Sequence, residues 1–481
     1  MRSFSLLIWL LAGACASSSP STGGTGGTGG GSGGTVSGTG GTAGAGSGGH
    51  VTGSGGAATG GTGGAISSTG GASGGSGGST GGTGGSTGGS GGSTGAGGSG
   101  GAGGGTAALT IPGMGHCTAP TGAALADAQA AYTKWKTDLV TSDGANGNLR
   151  VKRPNSSGAE VNSSNSEGIG YGMLLAVYQN DQDTFDKFWK YANQWLDSNK
   201  LMNWYINAEG TQVLGMGAAS DGDEDMAFAL IMADARWGGK GSLSTNYIDA
   251  AKTLLGNMWA HEVDHKRNEV LMAGDQFPDG SVINISYFAP AYYRVFARVS
   301  GQSGWNTTAD TSYTVIAATL NSQNGNASNG LVPAWSTPAG VPMAPSGTSD
   351  PTYHQLDSCR TPFRLGEDYC WNAEPRALTY LQKIDSFYSG VTVAAMVDGY
   401  DLNGNPHPQF VNSGGPRAAS FVGPAGVGAM TTGSTYAKLR DDAYASVATL
   451  QDLAGSTYYQ ESWTVLSLQM MTGMLVDLTA K

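Results

Sequence analysis

No lysine, arginine, aspartate or glutamate occurs between Arg2 and Asp127, and from about residue 19 to 105 the chain is almost wholly Gly, Ser, Thr and Ala. A tract this poor in apolar side chains cannot bury enough surface to offset its ordering entropy, which excludes a folded core there. It reads as a tether with a reach on the order of 50 Å, because a Gly-rich coil spreads as the square root of its length. The organisation expected is a leader over residues 1–15, a linker over 16–107 and one globular region over 108–481. A long apolar run is missing as well. In MRSFSLLIWLLAGACAS the apolar core runs only from Phe4 to Leu11 and ends in small residues. That excludes a stable bilayer-spanning anchor and fits an export signal. The small residues before Cys15 resemble a bacterial lipoprotein box, in which the cysteine is lipidated; ordinary cleavage after Ala14 is the alternative. One lipid on Cys15 would attach the protein to a membrane without making the domain itself a membrane protein.

An excess of basic residues is absent from the globular region. All 35 acidic residues fall there against 23 of the 24 basic ones, a net charge of −12. This argues against nucleic acid as a partner and fits a neutral or cationic one. Cysteine is scarce too: after Cys15 only Cys117, Cys359 and Cys370 remain. With 359–370 largely helical, a rise of about 1.5 Å per residue sets the last two about 16 Å apart, too far to bridge. A bridge from Cys117 to either of them, and three buried thiols, both stay open.

Strand signals are few, whereas helical periodicity recurs every 25 to 40 residues. Eleven helices are expected, at 122–140, 168–179, 183–197, 223–237, 247–263, 289–300, 309–321, 361–370, 374–389, 436–454 and 458–476. Those at 168–179 and 458–476 are apolar or small on nearly all sides; those at 122–140 and 183–197 alternate charged and apolar positions. Helices apolar all round are buried and amphipathic ones cover them, which describes an all-α layered or toroidal fold. No long internal repeat is visible.

Four stretches carry candidate chemistry. SEGIGYGMLLAV (166–177) sets Glu167 before a Gly-x-Gly-x-Gly run. A phosphate cradle would need a preceding strand and a lysine or similar partner, so the glycines read instead as a sharp turn that brings backbone close to a sugar. ASDGDEDMAFALIMADARW (219–237) crowds Asp221, Asp223, Glu224 and Asp225 at a helix start. NISYFAPAYYRVF (284–296) is an aromatic-rich loop entering a helix at Pro290. In YHQLDSCRTPFRLGEDYCW (353–371), Thr361-Pro362 reads as a cap followed by proline in the first turn, which leaves Asp357 and Arg360 in the preceding loop. Three acidic residues thus sit just before helices read as buried. In a ring of parallel inner helices Glu167, Asp221 or Asp223, and Asp357 would converge on one cleft, as glycoside hydrolysis requires. Taken singly, each could equally be a cap that complements the helix dipole.

In this order, these segments resemble the signature segments of glycoside hydrolase family 8, once called cellulase family D, from about residue 115 to the C-terminus. The resemblance implies an all-α (α/α)6 barrel, no cofactor or metal, and hydrolysis of a β-1,4-linked polysaccharide with inversion. It carries Glu167 onto the general acid and Asp357 onto the general base of the aspartate-base subgroup. Asp221 falls on the residue that holds the distorted sugar, and Arg360 on an arginine beside the base. Trp204, Tyr287, Tyr369, Tyr458 and Tyr459 are candidate sugar-contacting aromatics. Phe277 stands where tryptophan is common, and Leu356 where cellulases of the family often have tyrosine. The substrate implied is a β-1,4-glucan, with xylan next and chitosan third, cut by a monomer.

A helix N-terminus favours a carboxylate, which suits a base at Asp357 but opposes an acid at Glu167. Burial and a neighbouring charge such as Asp221 must therefore raise the pKa of Glu167. Two rival classes exist. His261-Glu262-Val263-Asp264-His265 matches the His-Glu-x-x-His string of zinc metalloproteases, yet Lys266, Arg267 and Asn268 point to a helix end and Leu271 stands where a third histidine would be. A non-catalytic carbohydrate-binding surface protein would share the tether but has no need of both Glu167 and Asp357.

Overall fold

A helix with no polar face must be surrounded by other protein. The computed structural model describes residues 114–154, 161–346, 352–409, 418–449 and 458–480; the leader, Cys15 and the 16–107 tract lie outside them. Twelve helices form among the described residues: α1 (Leu125–Leu139), α2 (Ser166–Tyr178), α3 (Gln182–Ala192), α4 (Ser220–Trp237), α5 (Tyr247–His261), α6 (Pro290–Ser300), α7 (Gly304–Thr319), α8 (Thr361–Asn372), α9 (Pro375–Val391), α10 (Ala419–Ala429), α11 (Ala437–Ala448) and α12 (Tyr458–Met471). Every residue of α2, α10 and α12 is buried. The even-numbered helices form a closed inner ring, each packed on the next and α12 returning to α2. The odd-numbered ones cover it, α1 on α12, α3 on α2, α5 on α4, α7 on α6, α9 on α8 and α11 on α10. This is the (α/α)6 barrel, the all-α class that the periodicity points to.

The helix that the sequence reading missed is α10. ASFVGPAGVGA holds three glycines and an internal Pro424, a composition that local propensity rejects. Packing overrides propensity here: a Cβ on Gly426 would come within 2.8 Å of Ala443 and one on Gly423 within 2.2 Å of Ser467.

Short antiparallel pairings sit where the chain enters inner helices. Ser164–Asn165, directly before α2, pairs with Tyr205–Ile206, which pairs with Val213–Gly215 ahead of α4. Ile283–Asn284 pairs with Trp335–Ser336 and leads through a 3-10 turn, Ile285–Tyr287, towards α6. Two inner helices begin earlier than the periodicity indicates, because apolar spacing does not register polar or glycine residues in a first turn. Asn165 accepts from the Gly168 amide and starts α2 at Ser166, and α4 starts at Ser220. Glu167 and Asp221 therefore lie inside first turns rather than before them. Thr361 is not a cap either: Arg360 holds the cap position of α8, and the Thr361 hydroxyl has no partner among the described residues.

Of the two cysteine arrangements left open, a bridge forms between Cys117 and Cys370, and Cys359 is a buried free thiol. The bridge ties the segment before α1 to the end of α8 and closes a loop of 253 residues.

Candidate active site

The glycines of SEGIGYGM do not form a turn beside a ligand, as the sequence reading expected. They lie within α2, and they let it approach its neighbours closely. A Cβ on Gly170 would fall 2.9 Å from Asp225 Cβ and 3.0 Å from the Gly222 carbonyl, and one on Gly172 would fall 2.8 Å from Phe188. Gly222 reciprocates, since a Cβ there would lie 2.7 Å from Ser166. With these side chains absent, the first turns of α2 and α4 come together, and Glu167 and Asp221 stand side by side.

Arg360 joins them. Its Nη1 donates to Glu167 Oε2 at 3.0 Å, to Asp221 Oδ2 at 2.6 Å and to the Tyr171 hydroxyl at 3.2 Å. Its Nε donates to Ser286 Oγ at 3.0 Å, and its guanidinium lies 4.8 Å above the Tyr287 ring. Nη2 faces Asp357 Oδ1 at 3.6 Å and makes no hydrogen bond among the described residues. One buried cation therefore meets three carboxylates from three segments of the chain. The two carboxyls of interest differ in access: the Glu167 side chain is 2% exposed and that of Asp357 18%. Asp357 is thus the one that faces water.

Electrostatics separates them further. Burial pushes the Glu167 carboxyl well above the usual glutamate range; Arg360 opposes this, and the charges of Asp221 and Asp357 reinforce it. Asp357 is raised above the usual aspartate range, again chiefly by burial, with Arg360 opposing and Asp221 reinforcing. The Tyr458 hydroxyl, itself accepting from Asn165 Nδ2 at 2.8 Å, is hydrogen-bonded to Glu167 Oε1. A buried Glu167 and a more exposed Asp357 thus stand at the two terminal nitrogens of one guanidinium.

Asp221 and Asp223 part company. Asp221 turns to Arg360, whereas Asp223 is fully buried near Glu262 and lines a cavity of about 460 Å³ between α3 and α5 that includes neither Glu167 nor Asp357. That cavity is separate from the acidic site. The aromatic candidates also divide. Tyr287 lies under Arg360, and Tyr458 reaches Glu167. Phe277 stacks on Trp335 with centroids 6.1 Å apart. Trp204 stacks on Tyr205 at 4.9 Å, and its carbonyl accepts from Ser166 N at 2.9 Å, one residue from Glu167. Tyr459 donates to the Leu356 carbonyl at 2.9 Å and holds the loop that carries Asp357. Tyr369 is not brought to the site: it lies towards the far end of α8, 6.4 Å from the His116 ring.

Sequence reasoning missed Tyr171, Ser286 and Trp335. Tyr171 was findable, because it stands four residues after Glu167 and shares its helix face. Ser286 stands beside Tyr287 in a stretch already singled out, whereas Trp335 carried no local signal. The His-Glu-x-x-His string does not form one helical face: His261 ends α5, Glu262 is buried beyond it, and a strand at Val263–Asp264 separates them from His265. Among the described residues no group of three His, Cys, Asp or Glu side chains is placed to hold a metal ion.

Comparison with known proteins gives concordant results. The sequence model described as Glycosyl hydrolases family 8 matches residues 111–473. The chain is 36% identical over 349 residues to endoglucanase A of Acetivibrio thermocellus, covering 72% of this chain and 69% of the relative. It is 31% identical over 367 residues to a beta-glucanase of Niallia circulans, covering 72% and 84%. Among solved structures, the apo beta-1,3-1,4-glucanase of Paenibacillus sp. X4 superposes with a TM-score of 0.66 at 26% identity, covering 75% of this chain and 96% of that one.

Proposed function

The chain belongs to glycosyl hydrolase family 8, and on that premise we propose that it is an inverting endo-β-1,4-glucanase acting on cellulose or mixed-linkage β-glucan. The observation that carries the reading is the Arg360 guanidinium, with Glu167 at one terminal nitrogen and Asp357 at the other. Glu167 protonates the leaving glycosidic oxygen as the C1–O bond breaks. Asp357 takes a proton from the water that attacks C1 from the opposite face. Inversion needs the two carboxyls roughly 6.5 to 9.5 Å apart so that this water fits between them, and a guanidinium between them supplies a spacer. Asp221 holds the sugar at the cleavage point, Arg360 orients the base, and Trp204, Phe277, Tyr287 and Tyr458 line the approach of the glucan. The relatives named as endoglucanase and beta-glucanase support the choice of substrate.

The test is one panel: carboxymethylcellulose, barley β-glucan, xylan and chitosan offered to wild type and Glu167→Gln. Reducing ends should appear from the first two substrates with wild type only. Release from xylan or chitosan alone would overturn the substrate, and release from none would overturn the activity.

The pH profile follows from the two raised carboxyls. The acid must hold its proton, so activity falls as pH rises through the Glu167 pKa; the base must lose its own, so activity falls as pH drops through that of Asp357. Asp221 raises both. Asp221→Asn should therefore lower kcat and move both limbs of the profile to lower pH. Unmoved limbs in an impaired variant would show that Asp221 acts without its charge.

The leader and the Gly/Ser/Thr tract support an exported protein tethered to a membrane through a lipid-bearing Cys15. A palmitate analogue should label cells producing the wild type and leave Cys15→Ala unlabelled; equal labelling would remove the lipid.

A further inference from the structure

Helices α4 and α8 are not neighbours in the inner ring, because α6 stands between them. Side chains nevertheless cross the barrel between them twice. Arg360 Nη1 meets Asp221 Oδ2 at 2.6 Å, and four residues further along each segment Arg364 Nη2 meets Asp225 Oδ1 at 2.6 Å. Each guanidinium also lies over a tyrosine, Arg360 over Tyr287 at 4.8 Å and Arg364 over Tyr292 at 4.9 Å. The lower rung thus repeats the upper one, about 6 Å below it at a rise of about 1.5 Å per residue.

We propose that Asp225 and Arg364 are positioning residues for the hydrolysis: they lock α8 in register across the barrel, so that Arg360 enters between Glu167, Asp221 and Asp357. The proposal rests on the assignment of Glu167 and Asp357 as acid and base. Three features point to register rather than to stability as the purpose of the lower rung. Both side chains are 1% exposed, and a buried ion pair is commonly matched in stability by apolar residues of similar volume. Asp225 Cβ is also the atom against which Gly170 of α2 closes, so the same residue fixes the helix that carries Glu167. Helix α6 stands between α4 and α8 and packs on both, so the two cross-barrel ion pairs are the direct polar ties that set their relative height. A shift of about 1 Å in a positioning group can cost about 10²-fold in rate.

The charges around each rung define what a slip would do. Arg360 faces Glu167 and Tyr171 from α2, Asp221 from α4, Tyr287 from the 3-10 turn, Asp357 from its own loop and Tyr459 from α12. Glu167 additionally feels Arg153. Arg364 faces Asp225 and Glu224 from α4, Tyr292 from α6 and Glu367 from α8. Burial raises Glu367 to about 8 and also raises Asp225, which Arg364 opposes; Asp225, bonded to Arg364 Nη2 at 2.6 Å, is the largest charge acting on Arg364. An Arg360 displaced by loss of the lower rung would withdraw the influence that holds Glu167 and Asp357 down. Both limbs of the pH profile would then move up.

The experiment compares Arg364→Met with the double variant Asp225→Asn/Arg364→Met. The single variant strands a buried carboxylate and should lose both Tm and kcat. The double variant removes both charges and should recover most of the Tm, while kcat stays about tenfold low or lower, KM stays near wild type and both limbs sit at higher pH. Recovery of kcat and both limbs together with Tm would show a purely structural pair and overturn the proposal. Should the double variant not fold, Arg364→Lys keeps the charge without the fork; slow turnover with raised limbs supports the proposal, and wild-type turnover with wild-type limbs overturns it. Glu167→Gln assayed in parallel separates the two readings. Full activity there defeats the acid assignment, and with it the premise of the proposal. An inactive Glu167→Gln beside Arg364 variants with wild-type limbs defeats the positioning role alone.

Discussion

Glu167→Gln is expected to lower kcat on carboxymethylcellulose by about 10³-fold, within the span that general acid catalysis supplies. The substitution keeps shape and can still accept from Arg360 Nη1, which lies 3.0 Å from Oε2 in the wild type, so the fold should be unaffected. It removes only the transferable proton. A leaving group that needs no proton therefore provides the control: an aryl cello-oligosaccharide with an acidic phenol should lose far less than the polymer. Equal losses on both substrates would mean that Glu167 serves binding or architecture, and no loss on either would remove it from the reaction.

Arg360→Met is expected to be the most damaging single change to the site. It leaves Glu167, Asp221 and Asp357 without the cation that they share. Breaking one partner out of a buried ion pair typically costs about 3–5 kcal/mol. The loss should depend on pH with a definite sign. Without Arg360 the pKa values of Glu167 and Asp357, already raised by burial, rise further above their unfolded values, so the folded state binds the extra protons and stability falls as pH rises above the ordinary carboxylate range. The Tm deficit relative to wild type should accordingly be smaller at pH 5 than at pH 8. A deficit independent of pH would show that Arg360 stabilises by packing on Tyr287 rather than by charge.

Legibility varied residue by residue. Glu167, Asp221, Asp357 and Arg360 could be read because each stands in or just before the first turn of a helix, and because the order of the four segments resembles a known family. The rivalry between Asp221 and Asp223 could not be settled by spotting acidic residues, although helical geometry bears on it. Two residues apart means about 200° of rotation, so one faces the barrel centre and the other the outer wall. By the same rule Asp221 and Asp225 share a face, and they form the two rungs to α8. Tyr369 misled for the converse reason: an aromatic inside a matching segment still travels down the helix, and eight residues past Thr361 it is about 12 Å from the N-terminal end. The glycines of SEGIGYGM were read as a turn because sequence shows permissive backbone and does not show what lies against it.

The sequence by itself determined that the globular region is all-α, that the helices at 168–179 and 458–476 are buried while those at 122–140 and 183–197 cover others, and that helix starts gather acids. Those properties follow from local pattern, from the apolar circumference of a helix and from the residues at its start. Tertiary structure alone decided that Glu167 must lie against Arg360, 193 residues away, and Asp221 against the same nitrogen from 139 residues away. It also decided that Cys117 takes Cys370 and leaves Cys359 free. No local pattern specifies such pairings, because they depend on the rotation and height of each helix within a closed ring, and those are fixed by the packing of every neighbour at once.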